Sequence, residues 1–81
     1  MYKATINVTL KKSVLDPQGQ TVLHALESLG FNEAKALRVG KFFEMKLDAT
    51  SREKAEARIR EMCDKLLTNP VIEEYSFQIS G

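Results

Sequence analysis

The stretch Leu37–Leu47, LRVGKFFEMKL, decides how this chain is read. Leu37 and Val39 stand on one side of Gly40-Lys41, and Phe43, Met45 and Leu47 on the other. Alternation of this kind marks half-buried strands, so strands are expected at Leu37–Val39 and Phe43–Leu47 around a glycine turn. A two-residue loop would set Val39 opposite Phe42 and place Leu37 and Val39 on the face away from Phe43, Met45 and Leu47. A bulge or an odd-length loop within Gly40–Phe42 restores a common apolar face. Phe42 then points to the opposite side.

Before this stretch, Tyr2, Ala4, Ile6, Val8 and Leu10 alternate with Lys3, Thr5, Asn7 and Thr9, the pattern of a half-buried strand. Asp16-Pro17 reads as a helix N-cap followed by the first helical residue. Val22, Leu23, Leu26 and Leu29 form a helical apolar stripe, Gly30 suits a left-handed C′ position, and Phe31 at C″ can pack back on Leu26. Gly19 fits this helix poorly, because glycine in a first turn costs about 0.5–1 kcal/mol against alanine. Either the helix begins near Thr21, or something approaches the backbone closely at Gly19.

After the stretch, Thr50 with Glu53 three residues on forms a capping-box pattern. A helix is expected from there to about Leu67, with Ala55, Ile59, Met62, Cys63, Leu66 and Leu67 on its apolar side and Glu56–Arg60 and Glu61–Lys65 as surface pairs. Asn69-Pro70 ends it. Tyr75, Phe77 and Ile79 belong to a last strand, expected from Glu74 because Glu73 would fall on the apolar face. The order β-α-β-β-α-β predicts an α+β, ferredoxin-like sandwich: a four-stranded antiparallel sheet with two helices on one face. The other sheet face is left open, polar apart from Phe42, and suited to a partly wet contact surface.

The chain has 81 residues, enough for one domain, residues 1–81, with a thin core. Twelve basic and eleven acidic residues give a net charge of +1, which is no footprint for nucleic acid or an anionic membrane. No apolar run approaches the ~20 residues of a membrane span, and the first residues carry no secretory pattern. The single cysteine, Cys63, fits a reducing cytoplasm.

Signs of catalysis are sparse. His24 sits beside the apolar stripe of the first helix and reads as a surface residue. Cys63 is centred on an apolar stripe, where burial mutes a thiol. No metal-ligand spacing, P-loop or dinucleotide motif occurs. The outward residues of the first strand, Lys3, Thr5, Asn7 and Thr9, offer no stacking platform for RNA. The remaining candidates for a contact with a partner are Asp16, Gln18 and Gly19 at the helix start, Arg38, Gly40 and Lys41 near the glycine turn, and Phe42 on the open face.

Three segments together, VLDPQGQTVLHALESLGF, RVGKFFEMKLD and EMCDKLLTNPVIEEY, resemble the PurS family, the small subunit of phosphoribosylformylglycinamidine synthase. The resemblance runs from about Tyr2 to Phe77, and the combination of DPQG, RVGK and CxKLLxNPVIExY in one short chain is specific. It implies an accessory subunit without catalytic residues of its own. The full enzyme converts formylglycinamide ribonucleotide, glutamine and ATP to formylglycinamidine ribonucleotide, glutamate, ADP and phosphate. The subunit would form a homodimer or tetramer, join the glutaminase (PurQ) and synthetase (PurL) subunits, and support ammonia transfer between them. It would bind no cofactor, with ATP and Mg held by the synthetase, and would act in the cytoplasm. The alternative is a small-molecule-binding regulatory dimer of the ACT type, which shares the element order. An acylphosphatase also shares it, but Lys11-Lys12-Ser13 after the first strand does not form a phosphate-cradling loop.

Overall fold

A computed structural model describes residues 1–81. The elements are β1 (Tyr2–Leu10), α1 (Pro17–Ser28), β2 (Gly40–Leu47), α2 (Arg52–Met62), a π-helical turn at Cys63–Leu67 and β3 (Glu73–Ser80). The sheet is antiparallel and has three strands in the order β2-β1-β3, not the expected four. The missing strand is Leu37–Val39, which forms no ladder. Its backbone groups are engaged elsewhere. Val39 N–H donates to Asp16 Oδ2 at 2.9 Å, and the Leu37 carbonyl lies against Gly19. A segment whose donor is satisfied by a carboxylate has no need of a strand partner. No hairpin forms around Gly40-Lys41 either: β2 starts at Gly40 and pairs with β1 one to one, Gly40 opposite Thr9, so the expected bulge is absent.

The parity of β2 nevertheless follows from its alternation. Phe43, Met45 and Leu47 stand opposite Ile6, Ala4 and Tyr2, while Phe42 stands opposite Asn7 on the other face. On β3, Tyr75, Phe77 and Ile79 stand opposite Val8, Ile6 and Ala4. The apolar face is thus continuous over three strands. Glu73 joins β3 one residue earlier than expected, opposite Leu10. At the sheet end its carboxylate accepts the Asn69 N–H at 2.7 Å and lies 3.5 Å from Lys41 Nζ, which accounts for an acid on this face.

The core consists of Ala4, Ile6, Val8 and Ile79 from the sheet and Ala55, Ile59 and Cys63 from α2 and its extension. Ser51, not Thr50, caps α2, its Oγ accepting the Lys54 N–H at 3.2 Å. The wide turn after Met62, closed by Thr68 N–H to the Cys63 carbonyl at 2.9 Å, alters which side chains face the sheet. Leu67 packs against the core, and Leu66, expected inside, is 83% exposed. Of the expected helix pairs, Glu61–Lys65 forms at 3.4 Å; Glu56 instead lies 3.7 Å from Arg52, and the Arg60 guanidinium sits over the Phe77 ring at 5.3 Å.

Only α2 covers the sheet. No side chain of α1 belongs to the core or packs against it. The helix projects as an arm, and the molecule measures 51 × 26 × 14 Å. The expected pair of helices over one sheet face is therefore reduced to one within this chain.

Candidate functional site

The base of the arm is where the two backbone runs that enter and leave it meet. Asp16 caps α1 by accepting the Gly19 N–H on Oδ1 at 2.9 Å, and its Oδ2 accepts the Val39 N–H at the same distance. One carboxylate thus ties the first turn of the helix to the return segment. The two backbone donors, Val39 first and then Gly19, hold the Asp16 carboxyl below its ordinary pKa, because both bonds favour the charged form.

Helix α1 begins at Pro17, so the later start near Thr21 does not occur. Gly19 is buried within the chain. A Cβ at this position would lie 2.7 Å from the Leu37 carbonyl oxygen and 2.7 Å from Asp16 Oδ2. The close approach that its presence in a first turn suggested comes from the chain's own return segment.

Arg38 spans the junction from the other side. Its guanidinium donates to the Leu10 carbonyl and, at 3.0 Å, to the Lys11 carbonyl. Lys11 N–H donates to the Ile72 carbonyl at 2.8 Å, which links the arm base to the segment before β3. Gly40 allows the strand to lie against β1: a Cβ there would stand 2.4 Å from the Val8 carbonyl oxygen. Lys41 Nζ sits between the Glu73 carboxylate at 3.5 Å and the Leu67 carbonyl at 3.4 Å, with the Phe43 ring at 6.0 Å. Such a half-exposed pair positions a side chain and contributes only ~0–1 kcal/mol.

Asp16, Gln18, Gly40 and Lys41 all line one groove of about 200 Å³. Gly19 and Arg38 adjoin it. Phe42 is separate, 58% exposed on the open sheet face. Leu37, Val39 and Glu73 complete the junction and were not singled out by sequence reading. A glycine and an acid in a first helical turn hint at such a close approach, but nothing local in the sequence says which segment makes it.

The charged groups that line this groove are the Asp16 and Glu73 carboxylates and the Lys41 ammonium. His24 is exposed on α1. Cys63 is fully buried, and burial, with the Asp64 charge as the lesser cause, pushes its thiol pKa up. No group of three His, Cys, Asp or Glu side chains is placed to hold a metal ion. No helix is long and apolar enough to cross a membrane.

Comparison with known proteins gives a consistent result. Residues 3–81 match the family PurS, described as phosphoribosylformylglycinamidine (FGAM) synthase. The chain is 46% identical over 79 residues to the phosphoribosylformylglycinamidine synthase subunit PurS of Bacillus subtilis, covering 98% of this chain and 93% of that protein. A crystal structure of B. subtilis PurS superposes with a TM-score of 0.92 at 44% identity, over 100% of both chains. A chain in the solved PurLQS structure from Thermotoga maritima superposes with a TM-score of 0.90 at 34% identity, over 98% of this chain and 96% of that one.

Proposed function

The chain belongs to the PurS family, and from that premise we propose how it serves the phosphoribosylformylglycinamidine synthase of which it is a subunit. It is an accessory subunit, partnered by PurL and PurQ. It joins the glutaminase to the synthetase and keeps ammonia on the path between them. ATP and Mg belong to the synthetase, the work is done in the cytoplasm, and residues 1–81 act as one PurS-like unit that self-associates as a dimer or tetramer.

The observation that carries this reading is the match over residues 3–81, joined to the presence of a homologous chain in a solved PurLQS structure. The arm base supports a contact role. Asp16, Gly19, Arg38 and Gly40 shape the junction through backbone hydrogen bonds and close packing. Gln18, Lys41 and Phe42 are exposed beside or beyond it and can meet a partner directly. Lys41, 3.5 Å from the Glu73 carboxylate, offers a half-exposed cation at the rim of the groove.

The test is reconstitution with purified synthetase and glutaminase. Glutamine-dependent amidation should require this chain, and amidation from free ammonia should not. If neither rate responds and no complex forms, the accessory reading fails. Lys41→Glu should weaken assembly without lowering Tm; unchanged assembly would remove the arm base from the contact surface. Phe42→Asp tests the open face in the same way, by the mass of the assembly in solution.

A further inference from the structure

One corner of the molecule collects cations that the chain does not neutralise. Lys11 and Lys12 follow β1, and Arg38 reaches them from the return segment. The ion pairs of the chain join Lys3, Lys41, Arg52, Arg58 and Lys65 to glutamates and include none of these three. The acid beside Lys12 and Arg38 is Asp16, whose two oxygens already accept the Gly19 and Val39 N–H groups. Glu73, at the near end of β3, is engaged by Lys41 and the Asn69 N–H. The whole chain carries a net charge of only +1, so this positive charge is a local feature.

The backbone holds this corner in place. Lys11–Val14 is a tight turn closed by Val14 N–H to the Lys11 carbonyl at 2.9 Å, and Lys11 N–H is bonded to the Ile72 carbonyl at 2.8 Å. The Lys11 carbonyl also accepts from Arg38 Nη2 at 3.0 Å, and the same nitrogen donates to the Leu10 carbonyl. Arg38 is thus anchored through one nitrogen, while its Nε and Nη1 have no acceptor in the chain. Lys12 and Ser13 occupy the middle of the turn and are exposed. With Gln20 of α1 they line a groove of about 410 Å³. Its apolar part is Leu15, 72% exposed, beside the half-buried Val14 and Leu37. Asp16 lines both this groove and the one that holds Gln18 and Lys41, so the two adjoin at the arm base.

We propose that this corner is the docking point for an acidic segment of a partner subunit: its carboxylates sit against Lys12 and the free nitrogens of Arg38, and a neighbouring apolar side chain covers Leu15. On the accessory-subunit reading above, which this assignment deepens and on which it rests, the segment belongs to the synthetase or the glutaminase. Charge complementarity decides the occupant. A segment without acids would cover two cations and leave them unpaired, and a basic one would be repelled. A nucleic acid needs a longer basic track than one turn and one arginine provide. The turn and the guanidinium are ordered before the partner arrives, so docking costs them little conformational freedom. Exposed charge contacts of this kind speed encounter and select the partner more than they add affinity.

The test measures binding of the whole chain to purified synthetase and purified glutaminase, singly and together, over a range of salt concentrations. The unaltered chain should bind, with an affinity that falls as salt rises. At low salt Lys12→Glu should bind about tenfold more weakly and Lys12→Gln about threefold, since an exposed pair is worth a few-fold in affinity and charge reversal adds repulsion. Both variants should keep the Tm of the unaltered chain and show a shallower salt dependence. Leu15→Ser should weaken binding severalfold with the salt dependence kept. Lys54→Glu, the same change of net charge placed on α2, should bind as the unaltered chain does. A loss confined to one of the two subunits identifies the owner of the acidic segment. The proposal is overturned if the unaltered chain forms the complex and Lys12→Glu leaves both its affinity and its salt dependence intact. The accessory reading survives that result, whereas failure of the unaltered chain to bind either subunit ends both. Equal weakening by Lys54→Glu overturns the proposal, because the effect is then one of net charge. A rise in the Tm of the unaltered chain with AMP or inorganic phosphate, abolished by Lys12→Glu, assigns the corner to a small anion and overturns it as well.

Discussion

The α2 layer and the α1 arm are both amphipathic helices of similar length, yet they have opposite fates in this chain. Helix α2 contributes Ala55 and Ile59, both fully buried against Ile6, Val8 and Ile79. Helix α1 buries only Gly19, and it does so against its own return segment. The first is held by apolar area removed from water, roughly 25 cal/mol per Å². The second is held at its base by hydrogen bonds to one carboxylate and one guanidinium. An amphipathic stripe therefore states that a helix needs a cover, and says nothing about which surface supplies it.

Substitutions separate the two modes. The largest effect is expected in the layer. Ile59→Ala should destabilise the chain by about 2–5 kcal/mol, measured by denaturant unfolding, because it empties a fully enclosed site. An effect below 1 kcal/mol would show that the α2 layer is not the stability centre.

Next comes the arm base. Gly19→Ala places a Cβ 2.7 Å from the Leu37 carbonyl oxygen. Overpacking of this kind costs about 1–3 kcal/mol. The loss should register as faster amide exchange at Val39 and in the first turn of α1, with β1 and β3 unaffected. Equal acceleration in the sheet would erase the distinction between the two regions.

A smaller, pH-dependent effect belongs to Asp16. Its pKa is lowered in the folded protein, so its contribution is fully present above the unfolded value, near 4. The contribution is lost as pH falls through the lowered folded pKa. The stability difference between the natural chain and Asp16→Asn should therefore hold from pH 7 down to about pH 4 and shrink at more acid pH. A difference that grows on acidification would contradict the assigned hydrogen bonds.

The smallest effect is expected at the arm's outer stripe. Under conditions that keep the chain monomeric, Leu29→Ala should change stability by no more than about 0.5 kcal/mol, since Leu29 is 74% exposed. A large loss in the monomer would mean that the arm packs on its own sheet.

Much of this structure was legible locally. Asp16 and Pro17 announced the start of α1. Gly30, at φ 97°, ends it with Phe31 N–H bonded to the Leu26 carbonyl at 2.9 Å and Gly30 N–H to the Glu27 carbonyl at 3.0 Å, the pattern of a left-handed helix stop. Alternation placed Phe43, Met45 and Leu47 on the core side and Phe42 on the other. The family was legible too, because three motifs in a fixed order are carried by the sequence itself. Leu37–Val39 misled for a definite reason. Its alternation suits a strand, but the acceptor for Val39 N–H is the side chain of Asp16, distant in sequence. A periodicity pattern records which side chains want burial and is blind to where a backbone donor finds its acceptor. Leu66 misled for a related reason: the π-helical turn after Met62 changes the angular spacing on which a helical stripe depends.

By itself, then, the amino-acid sequence determined the two helices and three of the four expected strands, the cap of α1, the inward and outward sides of the strands that form, and membership of the family. Those properties depend on neighbours within a few residues, where steric and hydrogen-bonding preferences act directly. The tertiary structure alone decided that the sheet has three strands, that Gly19 and Leu37 touch, and that one amphipathic helix covers the core while the other projects from it. Those outcomes depend on competition among distant partners for the same donors and the same apolar surface, and that competition is resolved only when the whole chain is in place.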